Sequence, residues 1–369
     1  MPGAPVFGKR RGFQDGGPVD RLRNLAYRAY KAIETREHRL LYLFFEVTRR
    51  CNLACLHCGS DCGRGPAVPE MTLDTWRSAM DYVKARYDPL VVLTGGEPLV
   101  RPDILDLADS LGERGLHWGM VTNGFALTAP VLARLVGGGI ESITVSIDGD
   151  EKGHRFLRRH PEAYPRAVRA LDLVGASTIR YKDAVTCVHP GNMDSLDAVG
   201  SLLVERGFGS WRLFRIFPSG AAARHPELGL DRGRALALVD WIAANRRRYR
   251  AKGLDLQLSC EGFLPFHVDR RVRTEPFFCR SGINVAAILS DGTITGCSNN
   301  PPFLAQGNVA TDDFDEVWDR RFEPFRDRRW LRVGACADCG LWRDCLGGSI
   351  HLRAGPDAGP AFCYARDTI

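Results

Sequence analysis

Residues 51–58 read Cys-Asn-Leu-Ala-Cys-Leu-His-Cys, and no other stretch limits this chain so tightly. Cys51, Cys55 and Cys58 place three thiolates at CX3CX2C spacing in one short loop. Such soft ligands select zinc, copper or an iron–sulfur cluster. Zinc favours pairs of CX2C arms, so one arm with a third cysteine offset by four suits it poorly. A disulfide pair is the other plain reading. Three thiolates hold a cubane [4Fe–4S] cluster and leave its fourth iron open to a small molecule. The loop follows the apolar run Leu41–Val47, which reads as a buried strand, so the cysteines sit at a strand's C-terminal end.

The rest of the composition narrows the setting. At 369 residues the chain holds one large core and a smaller module. The stretch 1–40 reads as an extension with one helix, 41–253 as the main body and 254–369 as a separate, cysteine-rich domain. No apolar run approaches the roughly 20 residues that span a bilayer, and the N-terminus lacks the apolar core of a secretory signal. Twelve cysteines without such a signal point to metal binding in a reducing cytoplasm rather than to a disulfide scaffold. A net charge of +6 is mild, and the arginines are scattered. Nucleic acid is therefore not the expected partner.

Residues 1–18 are rich in glycine and proline, and the tip is expected to be disordered. From Asp20 to Glu37, Leu22, Leu25, Ala26, Ala29 and Ile33 recur at helical spacing. The plain expectation is a helix packed outside the main domain; a docking surface for a leader peptide is the alternative. Strand-like and helix-like runs then alternate. Leu41–Val47, Val91–Leu93, Trp118–Thr122, Ile143–Ile147, Ala184–Val188 and Trp211–Phe217 are each followed by a helical stretch. Six βα units imply a parallel sheet with helices outside it.

Strand ends carry the next motifs. Gly95-Gly96-Glu97-Pro98 follows the second strand, Asn123 follows the third, and Ser146 and Asp148 end the fourth. Together with CX3CX2C these resemble the radical SAM superfamily, which implies an α/β fold with a partial (β/α)6 TIM-like barrel. By that resemblance Gly95, Gly96 and Glu97 meet the methionyl amino group of S-adenosylmethionine (SAM), and Asn123, Ser146 and Asp148 line its pocket. His154-Arg155-Phe156-Leu157-Arg158 is similar to a family segment whose arginine grips the SAM carboxylate, a role that falls on Arg158. Arg155 stands where an acid is usual, and Arg159 where glycine is usual. His57 holds a position that is usually aromatic and lies against adenine. The run Leu41–Cys62 also resembles a subgroup encoded beside small lipoproteins.

On the sixth strand, Arg212 and Arg215 alternate in face, and one of them is expected in the lumen as a substrate contact or a structural ion pair. The C-terminal cysteines resemble the SPASM domain, whose two auxiliary clusters are iron–sulfur; a zinc ribbon is the other reading. Cys336, Cys339, Cys345 and Cys363 match one complete ligand set. Cys279 and Cys297, joined across an Asp291-Gly292 hairpin, match part of the other. Its remaining cysteine is replaced by Ser349, and Cys260 is the candidate substitute. Cys62 and Cys187 read as plain thiols.

The resemblance implies a cytoplasmic enzyme that cleaves SAM reductively and abstracts hydrogen from its substrate. Its cofactors would be SAM and [4Fe–4S] clusters, one binding SAM and one or two auxiliary. Its expected substrate is a ribosomally made peptide or protein, with flavodoxin or ferredoxin as reductant and no catalytic acid or base assigned. Oxidation or epimerisation of a sugar or cyclitol is a second reading, and an iron–sulfur scaffold or electron carrier without SAM chemistry a third.

Overall fold

The computed structural model describes residues 17–63 and 69–365. The expectation for the N-terminal tip lies outside the described residues. Ten strands form one sheet, β1 (Tyr42–Thr48), β2 (Leu90–Gly95), β3 (Trp118–Thr122), β4 (Ser142–Ser146), β5 (Tyr181–Val188), β6 (Ser210–Arg215), β7 (Asp255–Leu258), β8 (Val285–Ile288), β9 (Thr293–Thr295) and β10 (Gly307–Asn308). Their order is β10-β9-β8-β1-β2-β3-β4-β5-β6-β7, and β8 through β7 run parallel. The longer helices are α1 (Pro18–Glu37), α2 (Leu73–Arg86), α3 (Ile104–Glu113), α4 (Ala129–Gly137), α5 (Glu151–Arg158), α6 (Ala163–Gly175), α7 (Leu196–Glu205), α8 (Arg232–Arg250) and α9 (Phe266–Val272). The six expected βα units are present as β1–α2, β2–α3, β3–α4, β4–α6, β5–α7 and β6–α8.

Strand alternation sets the core. Leu43, Phe45 and Val47 of β1 are buried, and the Phe45 ring lies 4.7 Å from that of Trp76 on α2. The same face carries Val91, Leu93, Trp118, Met120, Ile143, Val145, Trp211 and Leu213 into one apolar cluster with the helices. Burying one continuous face in this way is the main stabilising term of a parallel sheet. The chain beyond residue 254 does not stand clear of that sheet: β7 pairs with β6, and β8 pairs with β1, one at each edge. The Asp291-Gly292 turn joins β8 to β9 as a hairpin, with Gly292 at φ 86°.

Two local features depart from the sequence pattern. Helix α1 turns its apolar stripe outward, with Leu22, Leu25 and Ile33 exposed. It meets the protein instead through Tyr27 and Tyr30, whose rings pack against Phe266 and Phe278, and through charged side chains. Arg28 grips Asp344 through both carboxylate oxygens, Lys31 donates to the Asp344 carbonyl, and Glu34 pairs with Arg280. Segments remote in sequence supply those partners, so helical periodicity alone does not show which side of this helix meets the protein. The extra helix α5 begins at an Asp150 cap, whose Oδ1 accepts the Gly153 N–H. It ends at Arg159 with φ 59°, a left-handed turn that glycine adopts at least cost.

Candidate active site at the strand ends

The cluster loop is seated by the backbone of the next strand. Gly96 N–H donates to Thr48 O and Glu97 N–H to Arg50 O, at 2.8 and 2.9 Å. A Cβ on Gly96 would lie 2.2 Å from Arg50 O, and one on Gly95, at φ 148°, 2.3 Å from Thr48 O. The glycine pair therefore lets β2 press against the entry of the cysteine loop. Glu70, a residue without a motif, holds the same entry: it accepts from Thr48 Oγ1, the Arg49 N–H and Arg50 Nη2.

Glu97 is fully buried and turned into the strand ends. Its oxygens accept from Thr122 Oγ1 and Asn123 N–H, each at 2.7 Å, and from Leu99 N–H at 3.2 Å. Burial nevertheless pushes its carboxyl up. Asn123 in turn donates from Nδ2 to Asn52 Oδ1 at 2.9 Å, which ties the third strand's end to the cysteine loop.

Cys51, Cys55 and Cys58 pack in a small apolar group with Leu53, Ala163 and Phe125. Burial pushes Cys51 up to about 11 and raises Cys55, and neighbouring cysteines add to both shifts. Cys58 is drawn down by a hydrogen bond from Cys62, with help from the N–H groups of Ser60, Asp61 and Cys62. Cys62 thus does more than a plain thiol: it bonds Cys58 across a left-handed turn at Asp61. Thiols held together in an apolar pocket release their protons most readily to a metal centre, so the set fits a cluster.

Asp148 is the hub of the pocket's other side. Its Oδ2 accepts Arg158 Nε at 2.6 Å, and its Oδ1 accepts the Cys187 N–H at 2.9 Å. Its own N–H donates to His154 Nδ1, and its carbonyl accepts Asn192 Nδ2. Burial alone would raise this carboxyl; Arg158, then His57 and His154, outweigh burial and hold it well below the usual range. Arg158 turns Nη1 toward Cys55 Sγ at 3.9 Å, so the guanidinium also faces the cluster loop. His57 Nε2 lies 3.6 Å from Asp148 Oδ2, its buried Nδ1 has no partner, and burial pushes the imidazole down to about 4. Ser146 is buried at the end of β4. His57, Asp148 and Cys187 bring ligand atoms within 4.8 Å of one another. Arg158 already neutralises Asp148, so a cation there would meet a guanidinium.

Both arginines of β6 are ion-paired. Arg212 binds Asp183 and also reaches Thr144 Oγ1 at 3.5 Å; Arg215 Nε lies 3.1 Å from Glu261.

The later cysteines assemble in two groups. Cys336, Cys339, Cys345 and Cys363 line one largely apolar cavity. Burial, then the three other thiols, pushes Cys345 up to about 12, and Arg353 Nη2 lies 3.4 Å from Cys336 Sγ. Cys297 is pushed up to about 12 by burial, with Cys260 and Cys279 adding to the shift. Burial, then Cys279, raises the Cys260 thiol. Ser349 Oγ donates to the Cys260 carbonyl at 3.3 Å. Both donor sets have the thiolate chemistry of iron–sulfur sites.

The family model for the radical SAM superfamily matches residues 45–203, and that for an iron–sulfur cluster-binding domain, SPASM, matches residues 279–340. Mycofactocin maturase MftC of Mycobacterium ulcerans is 30% identical over 336 residues, covering 88% of this chain and 87% of that protein. The chain belongs to the radical SAM superfamily. The AdoMet-dependent heme synthase of Nitratidesulfovibrio vulgaris is 26% identical, covering 84% of this chain and 87% of that one. Among solved structures, Streptococcus suis SuiB bound to its precursor peptide SuiA superposes with a TM-score of 0.68. It is 16% identical and covers 97% of this chain and 84% of that one, a likeness of fold. This radical SAM/SPASM chain is thus an enzyme whose cofactors are SAM and iron–sulfur clusters. Among the described residues no helix is long and apolar enough to cross a membrane.

Proposed function

We propose that this radical SAM enzyme modifies a ribosomally made peptide or protein by crosslinking, epimerisation or oxidation. One observation carries the SAM-site assignment: three thiols, the Glu97–Asn123 link and the Asp148–Arg158 pair meet at the same end of the sheet. Cys51, Cys55 and Cys58 would hold the first cluster. Gly95, Gly96, Glu97, Asn123, Ser146, Asp148, Arg158 and His57 would surround SAM. When bound, cluster and SAM supply reductive cleavage of the sulfonium and hydrogen abstraction from a C–H bond.

The chain's own residues do the positioning. Glu97 fixes Asn123 and, through it, the cysteine loop. Asp148 orients Arg158 so that its remaining N–H groups face the loop, a fixed fork suited to a carboxylate. Apolar walls at Leu53, Phe125 and Ala163 keep water from the thiols. Arg212 and Asp183 offer the substrate a polar contact in the lumen.

A peptide substrate is favoured by the names of two relatives, a maturase and a structure holding a precursor peptide. A small-molecule substrate is the second reading, and the heme synthase at 26% identity favours it. The reductant would be a flavodoxin or ferredoxin. Anaerobic reconstitution with dithionite and SAM should release 5′-deoxyadenosine, and changing Cys51, Cys55 and Cys58 together to Ala should abolish it. Undiminished product from that variant would overturn the assignment. Release into an extract treated with protease, compared with an untreated one, separates a peptide from a small-molecule substrate.

A further inference from the structure

Arg328 is buried and has no acidic partner. Its Nε donates to Phe325 O at 2.9 Å, its Nη2 donates to Cys279 O, and its buried Nη1 meets no acceptor. Among the described residues no carboxylate lies within ion-pair reach of it. Burial lowers its pKa, and the groups that oppose this are Cys279 and Cys345, one from each C-terminal cysteine group. The guanidinium therefore lies against the backbone of Cys279 with one buried nitrogen unused.

Nearby charges make the excess of cation larger. Lys31 is buried beside Asp344 and Cys345, and Arg353 is buried against Cys336 with its Nε unpaired. The carboxylate of Asp344 is already taken by Arg28. A buried charge without a counter-charge costs several kcal/mol, so a fold that keeps one has an anion to set against it. A cubane held by thiolates carries net negative charge, and that charge helps set its potential.

We propose that Arg328 is the counter-ion of the auxiliary cluster served by Cys279, and that its charge helps set that cluster's reduction potential. The cluster gains one electron on reduction and becomes more negative, so a fixed neighbouring cation favours the reduced form. This rests on the group of Cys279 and Cys297 carrying a cluster. It assigns Arg328 a positioning and electrostatic part rather than contact with substrate.

The test uses protein in which Cys51, Cys55 and Cys58 are Ala, so that only auxiliary clusters remain, titrated with dithionite and followed by electron paramagnetic resonance. Arg328→Gln should shift the reduction equilibrium of the Cys279 cluster at least tenfold toward the oxidised form, about 59 mV for a one-electron couple. Arg328→Lys should stay within about threefold of the parent. Equal potentials in the Gln variant and the parent would overturn the proposal, as would a Lys variant shifted as far as Gln. If Arg328→Gln loses iron, thermal unfolding of the metal-free proteins decides. A metal-free Gln variant at least as stable as the parent supports the counter-ion role, because an uncompensated charge has been removed. A Gln variant destabilised without metal would reduce Arg328 to a structural hydrogen-bond donor. A parent that binds no iron at all would instead remove the auxiliary clusters themselves.

Discussion

Arg158 donates its Nε–H to Asp148 at 2.6 Å, and both side chains are buried, so the pocket's cation and anion form one unit. Removing one partner of a buried pair costs more than the pair contributes, because the survivor is left unpaired. Asp148→Asn should lower stability by about 3 kcal/mol or more and weaken SAM binding. Arg158→Lys keeps the charge but loses the fork, and SAM affinity should fall about tenfold. Calorimetric titration with SAM checks both; unchanged affinity in both variants would place the carboxylate contact elsewhere.

Gly96→Ala tests the seating of the cysteine loop. The added methyl meets Arg50 O, a backbone atom that moves only with the loop. We expect a loss of about 2–3 kcal/mol or more, together with loss of the first cluster's iron. A variant with full iron and an unchanged melting temperature would show that the loop tolerates the displacement.

Iron content tests the partial ligand set. In the protein with Cys51, Cys55 and Cys58 changed to Ala, about eight irons per chain would mean two auxiliary cubanes. Cys260→Ala in that background should lower the count to about four, because Cys260 groups with Cys279 and Cys297 while Ser349 bonds only a carbonyl. A count of about four before Cys260 is changed would leave Cys279 and Cys297 as structural thiols.

His351 makes stability pH-dependent. Burial, then Arg215, pushes its imidazole down to about 4, and its Nε2 has no partner. Below about pH 6.5 the unfolded chain takes up a proton that the folded chain refuses, so this contribution is intact above that pH and is lost toward pH 4. His351→Phe keeps an aromatic ring against Phe217, which lies 4.3 Å away, and removes the titration. Relative to wild type, the variant should therefore gain stability as the pH falls from 6.5 to 4.5, by up to about 3 kcal/mol. Taking the difference cancels the buried acids Glu46, Glu97 and Glu261, which burial raises and which act in the opposite sense. Parallel denaturant curves at both pH values would reject the assignment.

Sequence alone determined what is encoded at short range. The cysteine spacing, the glycine pair before Glu97 and the six alternations of strand and helix are each set by neighbours a few residues apart, and the fold shows all of them. Even the helix at 18–37 was legible as a helix. Tertiary structure alone decided which face of that helix is buried, because its partners Asp344 and Arg280 come from the far end of the chain. It also decided that the glycine pair packs on loop backbone, that Arg158 is shared with Asp148, that Cys260 stands with Cys279 and Cys297, and that Arg328 lies against the Cys279 carbonyl. Periodicity reports how often a side chain meets water. Which charge or thiol it meets across the fold is settled only when β7 and β8 close on the two edges of the sheet.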